Sequence, residues 1–462
     1  MRRNILDDKR FSSAAAKRAS QHREPTHRPA APSNDEEILF SSGELFADGN
    51  ILELVAGGSP LGKPDLLLWN GTRAHVDRRV LYRGRTYEAP ESDRALYRAM
   101  RLPMGCRGYG SVRRLFEDIR DLFVRRLGLP IREAGLLACF SMGTWLADRL
   151  PNALNLMMCG SDEEGGVDVL RLLSCVCRHG LLLSELTPDA FRALPAQPSL
   201  TFLLDQHRVK PAMQRVLRAS NHRGLYLSGR AGLVDRYGPK AIFCANDSEM
   251  DALGRVAVQI HLPPLSLTSL PLDEREQNDI AGQFQPRLLM YRLRNAAKLE
   301  QADVDLSSFT LAMRPLARTI AMCFPGNPKL ATEAVRLLLP QNEEHLARRF
   351  LDPRCAIVDI LLAATHKGKQ ADLMVEQLTT QVNSLLRSRG ERVEYSAEEV
   401  GWQLRDLQIP RRITSAGRLI VLNRENSKRL HSLARSFELL TEEAEGCLDC
   451  SNTQIIEAKY VM

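Results

Sequence analysis

Short apolar runs and longer amphipathic stretches alternate along this chain, and their order predicts an α/β core. The runs Leu154–Cys159, Leu200–Gln206, Ala241–Ala245 and Val256–Leu262 each have the length and composition of one buried strand. Val169–Cys177 follows the first run and has apolar residues at helical spacing. Strands that alternate with helices are typical of a parallel sheet covered by helices, so we expect an α/β fold with a sheet of this kind.

The regions around this core have different patterns. The first 37 residues are basic and lack periodic apolar positions, which predicts a disordered tail. Short apolar runs then alternate with turn residues, which predicts a small β-rich unit. Prolines such as Pro286 are expected to separate helices in the region after the core. The predicted parts are a basic tail (1–37), a β-rich unit (38–91), a helical segment (92–150), the core (151–270), a helical lid or linker (271–350), a winged helix (351–440) and a flexible tail (441–462).

The C-terminal pattern predicts the winged helix. Cys355–Thr365 and Ala371–Leu386 are amphipathic, Ser396 is placed to cap a third helix, and Ser415–Arg418 supplies the turn of a hairpin. In such folds the third helix enters a major groove and wing cations meet phosphates. Trp402 and Leu404 are predicted to be core residues. The candidate nucleic-acid-binding residues are Arg405, Arg411, Arg412, Arg418, Lys428 and Arg429.

The segment after the first predicted strand carries the glycine frame of a phosphate-binding loop. That motif, G-x-x-x-x-G-K-[ST], uses backbone N–H groups, a lysine and a hydroxyl to hold phosphates and magnesium. Gly160 and Gly165 fit the pattern, but Gly166 stands at the lysine position and Val167 at the hydroxyl position. The loop also carries three acids, Asp162 to Glu164, which would repel a triphosphate. The order strand, glycine loop, helix still matches the motif.

The ends of the later predicted strands carry the other candidate residues. Asp205 ends a buried strand, as in a Walker B element, but Gln206 follows it where many ATPases have a water-activating acid. An amide can position a water molecule but cannot take its proton. Asn246 and Arg255 stand beside the next two strands and are candidate phosphate sensors, or else a turn residue and a solvated charge.

The order of these elements resembles the helicase-like P-loop ATPases of bacterial mobile elements, which are AAA+-like and end in a winged helix. Phrases that carry the resemblance are LLLSELTP (181–188), YGPKAIFCAND (237–247) and EVGWQLRDLQIPRRITSAGRL (399–419). The resemblance covers residues 91–440 and implies a role in replication or other DNA transactions. The chain departs from the family at Gly166, Val167 and Gln206. Three departures at chemically connected positions suggest a pseudo-ATPase.

Composition adds few constraints. A net charge of +7 over 462 residues permits a nucleic-acid partner without requiring one. The ten cysteines lack a secreted-type framework, so we expect reduced thiols in a cytoplasm. The apolar stretch Ala134–Ala147 is shorter than a bilayer span and predicts a buried helix, without membrane association. Cys447 and Cys450 form a lone CxxC without a second pair at zinc-ligand spacing, so a reduced flexible tail is favoured over a metal site.

Three functions are compatible with these patterns. The favoured hypothesis is a noncatalytic, DNA-associated adaptor that needs neither ATP nor magnesium. The second is an active helicase-like motor in which another cation, such as Lys240 or Arg255, replaces the missing lysine and ATP and magnesium are cofactors. The third is a protein-interaction scaffold without nucleic-acid contact, with protein partners or further copies of itself.

Overall fold

The computed structural model describes most of the chain between residues 38 and 450. The predicted basic tail (1–37), Arg255 and most of the predicted flexible tail (441–462) lie outside the described residues. The described ranges are 38–58, 63–91, 94–195, 199–229, 232–246, 253, 257–265, 272–300, 303–366, 373–439, 447 and 450.

Seven short strands come first, and they form two sheets. One sheet is antiparallel with the order β2-β3-β4-β5, and the other has the order β1-β7-β6. The central strands β3 and β4 are apolar on both faces, and both faces are buried against the rest of the protein. The strands therefore share the main core instead of forming a separate one. Their bounds are β1 Ile38–Phe40, β2 Gly43–Leu45, β3 Ile51–Val55, β4 Asp65–Trp69, β5 Ala74–Asp77, β6 Arg79–Tyr82 and β7 Arg85–Glu88.

Three helices follow, namely α1 (Arg94–Ala99), α2 (Val112–Leu127) and α3 (Ile131–Thr144). Ser111 caps α2 by accepting a hydrogen bond from the Arg114 amide at 3.1 Å. The apolar helix α3 is buried along almost its whole length, as the sequence predicts. No helix in the described ranges is both long and apolar enough to cross a bilayer.

A five-stranded parallel sheet forms the centre of the molecule. Its order is β14-β8-β13-β10-β9, which confirms the predicted α/β core with a parallel sheet and flanking helices. These strands are nearly continuous apolar runs, as is typical of a parallel sheet that is covered by helices. The elements are β8 Asn155–Cys159, α4 Glu163–Val176, β9 Gly180–Ser184, α5 Pro188–Ala193, β10 Thr201–Asp205, α6 Pro211–Ala219, the hairpin β11 Leu227–Gly229 and β12 Gly232–Val234, β13 Lys240–Cys244 and β14 Ala257–His261.

Four further helices pack beside the sheet. Pro286 lies inside the first of them instead of separating two helices, so that expectation is wrong. Residues on both sides of Pro286 are buried, including Phe284 and Leu288, and this packing keeps the helix continuous. Pro315 and Pro340 lie in the first turns of their helices, where a missing N–H costs little. The bounds are α7 Glu274–Asn295, α8 Arg314–Met322, α9 Pro328–Arg336 and α10 Leu339–Phe350.

The C-terminal module has its own apolar core. Its three short strands form an antiparallel sheet of order β15-β17-β16. Ser396 caps its third helix, as predicted, by accepting from the Glu399 amide at 3.3 Å. The Ser396 amide in turn donates to the Glu399 carboxylate at 2.8 Å. Its second helix begins at Val375 instead of at the predicted Ala371, because Leu373 and Met374 form strand β15, and residues 371 and 372 lie outside the described residues. The elements are α11 Pro353–His366, β15 Leu373–Met374, α12 Val375–Ser388, α13 Ala397–Asp406, β16 Arg411–Thr414, β17 Gly417–Ile420 and α14 Arg424–Ser436.

Candidate functional site

The predicted phosphate-binding loop is shorter in the structure than the motif requires. Strand β8 ends at Cys159 and α4 begins at Glu163, so three residues connect them. Gly165 and Gly166 therefore lie in the first turn of the helix. The Gly166 amide donates to the carbonyl of Asp162 at 3.0 Å, and that N–H cannot also hold a phosphate.

The carboxylate of Asp162 lies where an anion would bind at the helix N-terminus. One of its oxygens accepts from the Gly165 amide at 2.9 Å, and the other accepts from the Leu265 amide at 3.1 Å. A helix N-terminus offers unsatisfied N–H groups and a partial positive charge, and a carboxylate satisfies both. Glu163 and Glu164, in the same turn, are exposed. Among the three loop acids, Asp162 supplies the internal anion.

Gly166, at the lysine position, and Gly160, the first glycine of the motif, both allow close packing. A Cβ placed on Gly166 would lie 2.3 Å from the ring of Phe243 on β13. A Cβ on Gly160 would lie 3.0 Å from the carbonyl oxygen of Leu262, whose amide donates to Cys159 at 2.7 Å. The segment after β14 thus covers the loop. Val167, at the hydroxyl position, is half-buried in α4.

The Walker B-like residues reach the same edge of the sheet as the loop. Asp205 ends β10, and its carboxylate accepts from Ser184 Oγ at 3.3 Å. Gln206 is buried, and its side chain donates to the Asp205 carbonyl at 3.2 Å. Asn246 follows β13 and is exposed. Strand β13 separates β10 from β8, and Phe243 fills the space beside Gly166.

Lys240 cannot replace the missing lysine, so that part of the motor hypothesis is wrong. It pairs with Asn155 at the start of β8, at the opposite edge of the sheet from the loop. Its ammonium is fully buried and donates to the carbonyls of Gly238 at 2.6 Å and Ser220 at 3.2 Å. Burial lowers the pKa of Lys240 to about 7.

A buried charge network was missed at the level of sequence. The carboxylate of Glu53 on β3 accepts from Arg178 Nη2 at 2.9 Å and from Arg292 Nε at 2.6 Å, and His179 Nε2 lies 3.3 Å away. Arg292 also forms two hydrogen bonds to Asp148 at 2.6 and 2.7 Å. Burial raises the pKa of Glu53, but the charges of Arg178 and Arg292 outweigh this effect and hold it well below its usual value. A glutamate within the apolar run ILELV was the available signal.

The predicted cations of the C-terminal module fall into two groups. Arg405 on α13 and Arg411 and Arg418 on the β16–β17 hairpin lie together, and a Cβ on Gly401 would be 2.8 Å from Arg411 Nη1 and 3.7 Å from Arg418 Nη1. Burial lowers the pKa of Arg411, and the charges of Arg418 and Arg405 lower it further. We call Arg405, Arg411 and Arg418 the arginine face.

The remaining cations do not share this face. Arg412 alternates with Arg411 along β16 and pairs with Leu419, so it projects from the other side of the hairpin. Lys428 and Arg429 lie on α14, where Arg429 bonds to Gln408. All three are exposed.

The two apolar predictions on α13 had different outcomes. Leu404 is fully buried, as predicted, whereas Trp402 is 51% exposed. The expectation that Trp402 is a core residue is therefore wrong. The helical period places Trp402 one turn from Arg405, on the exposed side of α13.

The two cysteines of the lone CxxC lie close to two histidines that the sequence pattern does not connect with them. Cys447 and Cys450 lie beside His366 and His431, and the four possible ligand atoms are all within 4.8 Å of one another. The two histidines lie far apart in sequence, on α11 and α14, so no local sequence motif indicates that they are near the cysteines. This cluster could hold a metal ion.

The fold defines a class of protein: an α/β core with a five-stranded parallel sheet flanked by helices, consistent with a P-loop-like arrangement. No protein-family profile matches the chain, and no curated protein matches it.

Among solved structures, the chain is similar to the A-form apo structure of the NrS-1 C-terminal region, at 10% identity and a TM-score of 0.35, over 80% of this chain and 97% of that one. It is also similar to Cdc6p from Pyrobaculum aerophilum, at 15% identity and a TM-score of 0.19, over 68% and 94%. A third similar structure is Drosophila ORC bound to DNA, at 13% identity and a TM-score of 0.17, over 75% and 94%.

Proposed function

We propose that this protein is a noncatalytic, DNA-associated adaptor built on a degenerate, AAA+-like P-loop core with a C-terminal winged helix. The observation that carries the first half of this proposal is the filled phosphate site. Asp162 takes the hydrogen bonds that a phosphate would need, and Phe243 takes the space of the lysine side chain. The resemblance to mobile-element ATPases suggests replication or another DNA transaction as the setting.

The charge balance at the loop also opposes nucleotide binding. Asp162, Glu163 and Glu164 bring three carboxylates to the helix terminus that would face a triphosphate. A single pair of like charges about 4 Å apart costs roughly 4 kcal/mol near a protein surface. Tenfold in affinity corresponds to about 1.4 kcal/mol, so this repulsion alone would remove useful affinity.

The arginine face supports the second half of the proposal. Helix α13 is the third helix of the module, and the β16–β17 hairpin follows it as the wing. Arg405, Arg411 and Arg418 concentrate positive charge beside the exposed Trp402. Arginines clustered in this way bind phosphate oxygens, and an exposed aromatic ring can contact bases or sugars.

Calorimetry tests the proposal that the protein does not bind nucleotide. We expect no measurable binding of ATP with magnesium to the full chain. Micromolar binding that disappears in an Asp205→Asn variant would instead support the active motor.

A salt titration of DNA binding tests the proposal that the arginine face binds DNA. Replacing Arg405, Arg411 and Arg418 with alanine should weaken binding to unrelated duplexes and flatten the salt slope by about 0.9 per lost phosphate contact. Arg412→Ala is the matched control, because Arg412 projects from the other side of the hairpin. The basic residues before Ile38 are present in every variant and cancel in the comparison. Equal affinity and slope in all variants would favour the scaffold hypothesis.

A further inference from the structure

Four side chains with metal-binding atoms converge where the C-terminal module meets the segment that follows it. His366 ends α11, His431 lies within α14, and Cys447 and Cys450 come after α14. The two histidine Nε2 atoms are 3.0 Å apart. Cys447 Sγ lies 3.2 Å from His431 Nε2, and Cys450 Sγ lies 3.4 Å from His366 Nε2.

These separations match tetrahedral coordination by two sulfurs and two nitrogens. Zinc binds nitrogen at about 2.0 Å and sulfur at about 2.3 Å, so a tetrahedral site places two nitrogens roughly 3.3 Å apart and a nitrogen and a sulfur roughly 3.5 Å apart. The observed distances of 3.0, 3.2 and 3.4 Å are close to these values. The remaining pairs of ligand atoms lie within 4.8 Å of one another, so one zinc ion at the centre would reach all four atoms once those pairs draw closer together.

The orientation of His431 is fixed for this role. Its Nδ1 lies 2.7 Å from the carbonyl oxygen of Ser427, one turn earlier on α14, and therefore carries the proton that it donates there. In the neutral ring, Nε2 then presents its lone pair toward His366 and Cys447. An outer hydrogen bond of this type holds the tautomer and ring angle of metal-binding histidines in zinc proteins. His431 is fully buried and Cys450 is 4% exposed, while His366 and Cys447 are half-buried, so the cluster is partly shielded from water.

We propose that His366, His431, Cys447 and Cys450 bind one structural Zn²⁺. Two thiolates and two neutral imidazoles complete the coordination, which leaves no open position for a substrate and defines a structural site. The two thiols lose their protons when the metal binds. The ion would tie Cys447 and Cys450 to α11 and α14 through the two histidines. This inference goes beyond the adaptor function and does not depend on it.

Elemental analysis of the full chain, purified under reducing conditions with zinc in the growth medium, tests this site. We expect one zinc ion per chain in the wild type and in Cys106→Ser, a half-buried cysteine outside the cluster. The double variant Cys447→Ser, Cys450→Ser should lose the zinc while its far-ultraviolet circular dichroism still shows a folded core.

Cobalt substitution gives a second measurement that loss of fold cannot imitate. Co²⁺ in the wild-type site should show the visible bands of a tetrahedral ion and a thiolate charge-transfer band. Cys447→His keeps four ligands, so it should keep the metal and lose about half of the charge-transfer intensity, because one of two thiolates remains. The proposal is overturned if the wild type carries no zinc and Co²⁺ gives no tetrahedral spectrum, if the double variant retains its zinc, or if mass spectrometry finds a Cys447–Cys450 disulfide under the reducing conditions.

Discussion

At the scale of single residues, side chains that resemble a nucleotide site perform packing and capping. Gly166 has no side chain because Phe243 lies against its α-carbon, and Asp162 supplies the negative charge that the helix N-terminus favours. The side chain of Gln206 donates a hydrogen bond to the carbonyl of the preceding residue, Asp205. The departures from the motif at Gly166 and Gln206 and the close packing around the loop therefore occur together.

Gly166→Ala should destabilise the protein by about 1 to 3 kcal/mol, since the new methyl group would overlap the Phe243 ring. Gly282→Ala in α7 is the matched control. Its added Cβ meets no atom within 4 Å, so the higher helix propensity of alanine should stabilise the protein by about 0.5 to 1 kcal/mol. Urea unfolding measures both. Adding Phe243→Leu to Gly166→Ala should recover part of the loss, and an unchanged stability of Gly166→Ala would contradict the close packing.

Lys240 should make stability rise with pH above neutrality. Its folded pKa is about 7 and the unfolded value is 10.5, so between these values the unfolded chain binds more protons and unfolding becomes less favourable as pH rises. Lys240→Met should remove a slope of up to about 1.4 kcal/mol per pH unit. Urea unfolding at pH 7, 8 and 9 measures it. The buried cysteine thiols change stability in the opposite direction, but equally in the wild type and in Lys240→Met, so the difference between the two proteins isolates Lys240. Parallel curves of stability against pH would show that Lys240 does not titrate in this range.

At the scale of secondary-structure elements, the sequence predicts which helices and strands exist better than it predicts where they begin and end. Four of the five strands of the parallel sheet were predicted because each is a short apolar run, whereas β9 was not predicted as a strand. The Ser396 cap was predictable because capping is local chemistry. The start of α4 was not predictable from the motif. It is set by the Asp162 cap and by Leu265, which is distant in sequence. Pro286 lies inside α7 because tertiary packing outweighs local preference.

Asp162→Ala should destabilise the protein by about 1 to 2 kcal/mol, because α4 loses its N-cap and the Leu265 amide loses its acceptor. Glu163→Gln is the matched control on the same turn. It is exposed and should change stability by no more than about 0.5 kcal/mol. Thermal or urea unfolding in nucleotide-free buffer distinguishes them. Equal effects at both positions would show that the acids act only through the helix dipole.

At the scale of the whole molecule, Glu53 joins three regions that the sequence separates. The β3 strand, the residues before β9 and helix α7 meet through Glu53, Arg178 and Arg292. The expected β-rich unit at 38–91 is thus part of the main body. Such a junction could not be predicted, because its partners are 125 and 239 residues from Glu53 along the chain. The cluster of His366, His431, Cys447 and Cys450 escaped prediction for the same reason, because its two histidines are 65 positions apart in sequence.

Glu53→Gln should destabilise the protein by about 3 to 5 kcal/mol, since two buried arginines lose their shared counter-charge. Glu44→Gln on the neighbouring strand β2 is the matched control, because Glu44 is exposed. Calorimetric unfolding measures both. A loss below about 1 kcal/mol for Glu53→Gln would mean that Asp148 alone balances the arginines.

The same network should make the protein sensitive to acid. The pKa of Asp148 is raised by burial but lowered overall to about 2 by the charge of Arg292, and the pKa of Glu53 is also lowered. Because both folded values lie below the unfolded ones, the stabilisation is present above about pH 5 and is lost as pH falls toward 2. Unfolding followed from pH 6 to pH 2 should show a steeper loss in the wild type than in Glu53→Gln. Curves with the same slope would exclude this contribution from Glu53.

The buried position of Glu53 also determines how this chain can be divided in the laboratory. A fragment that begins at residue 92, where the sequence pattern suggests a natural boundary, would lack Glu53 while retaining Arg178, His179 and Arg292 in its interior. The two buried arginines would then have only Asp148 as a counter-charge. Shortened versions of the protein intended for crystallisation or binding assays should therefore keep the strands from Ile38 onward, whereas the C-terminal module, which has its own core, is the natural part to study alone.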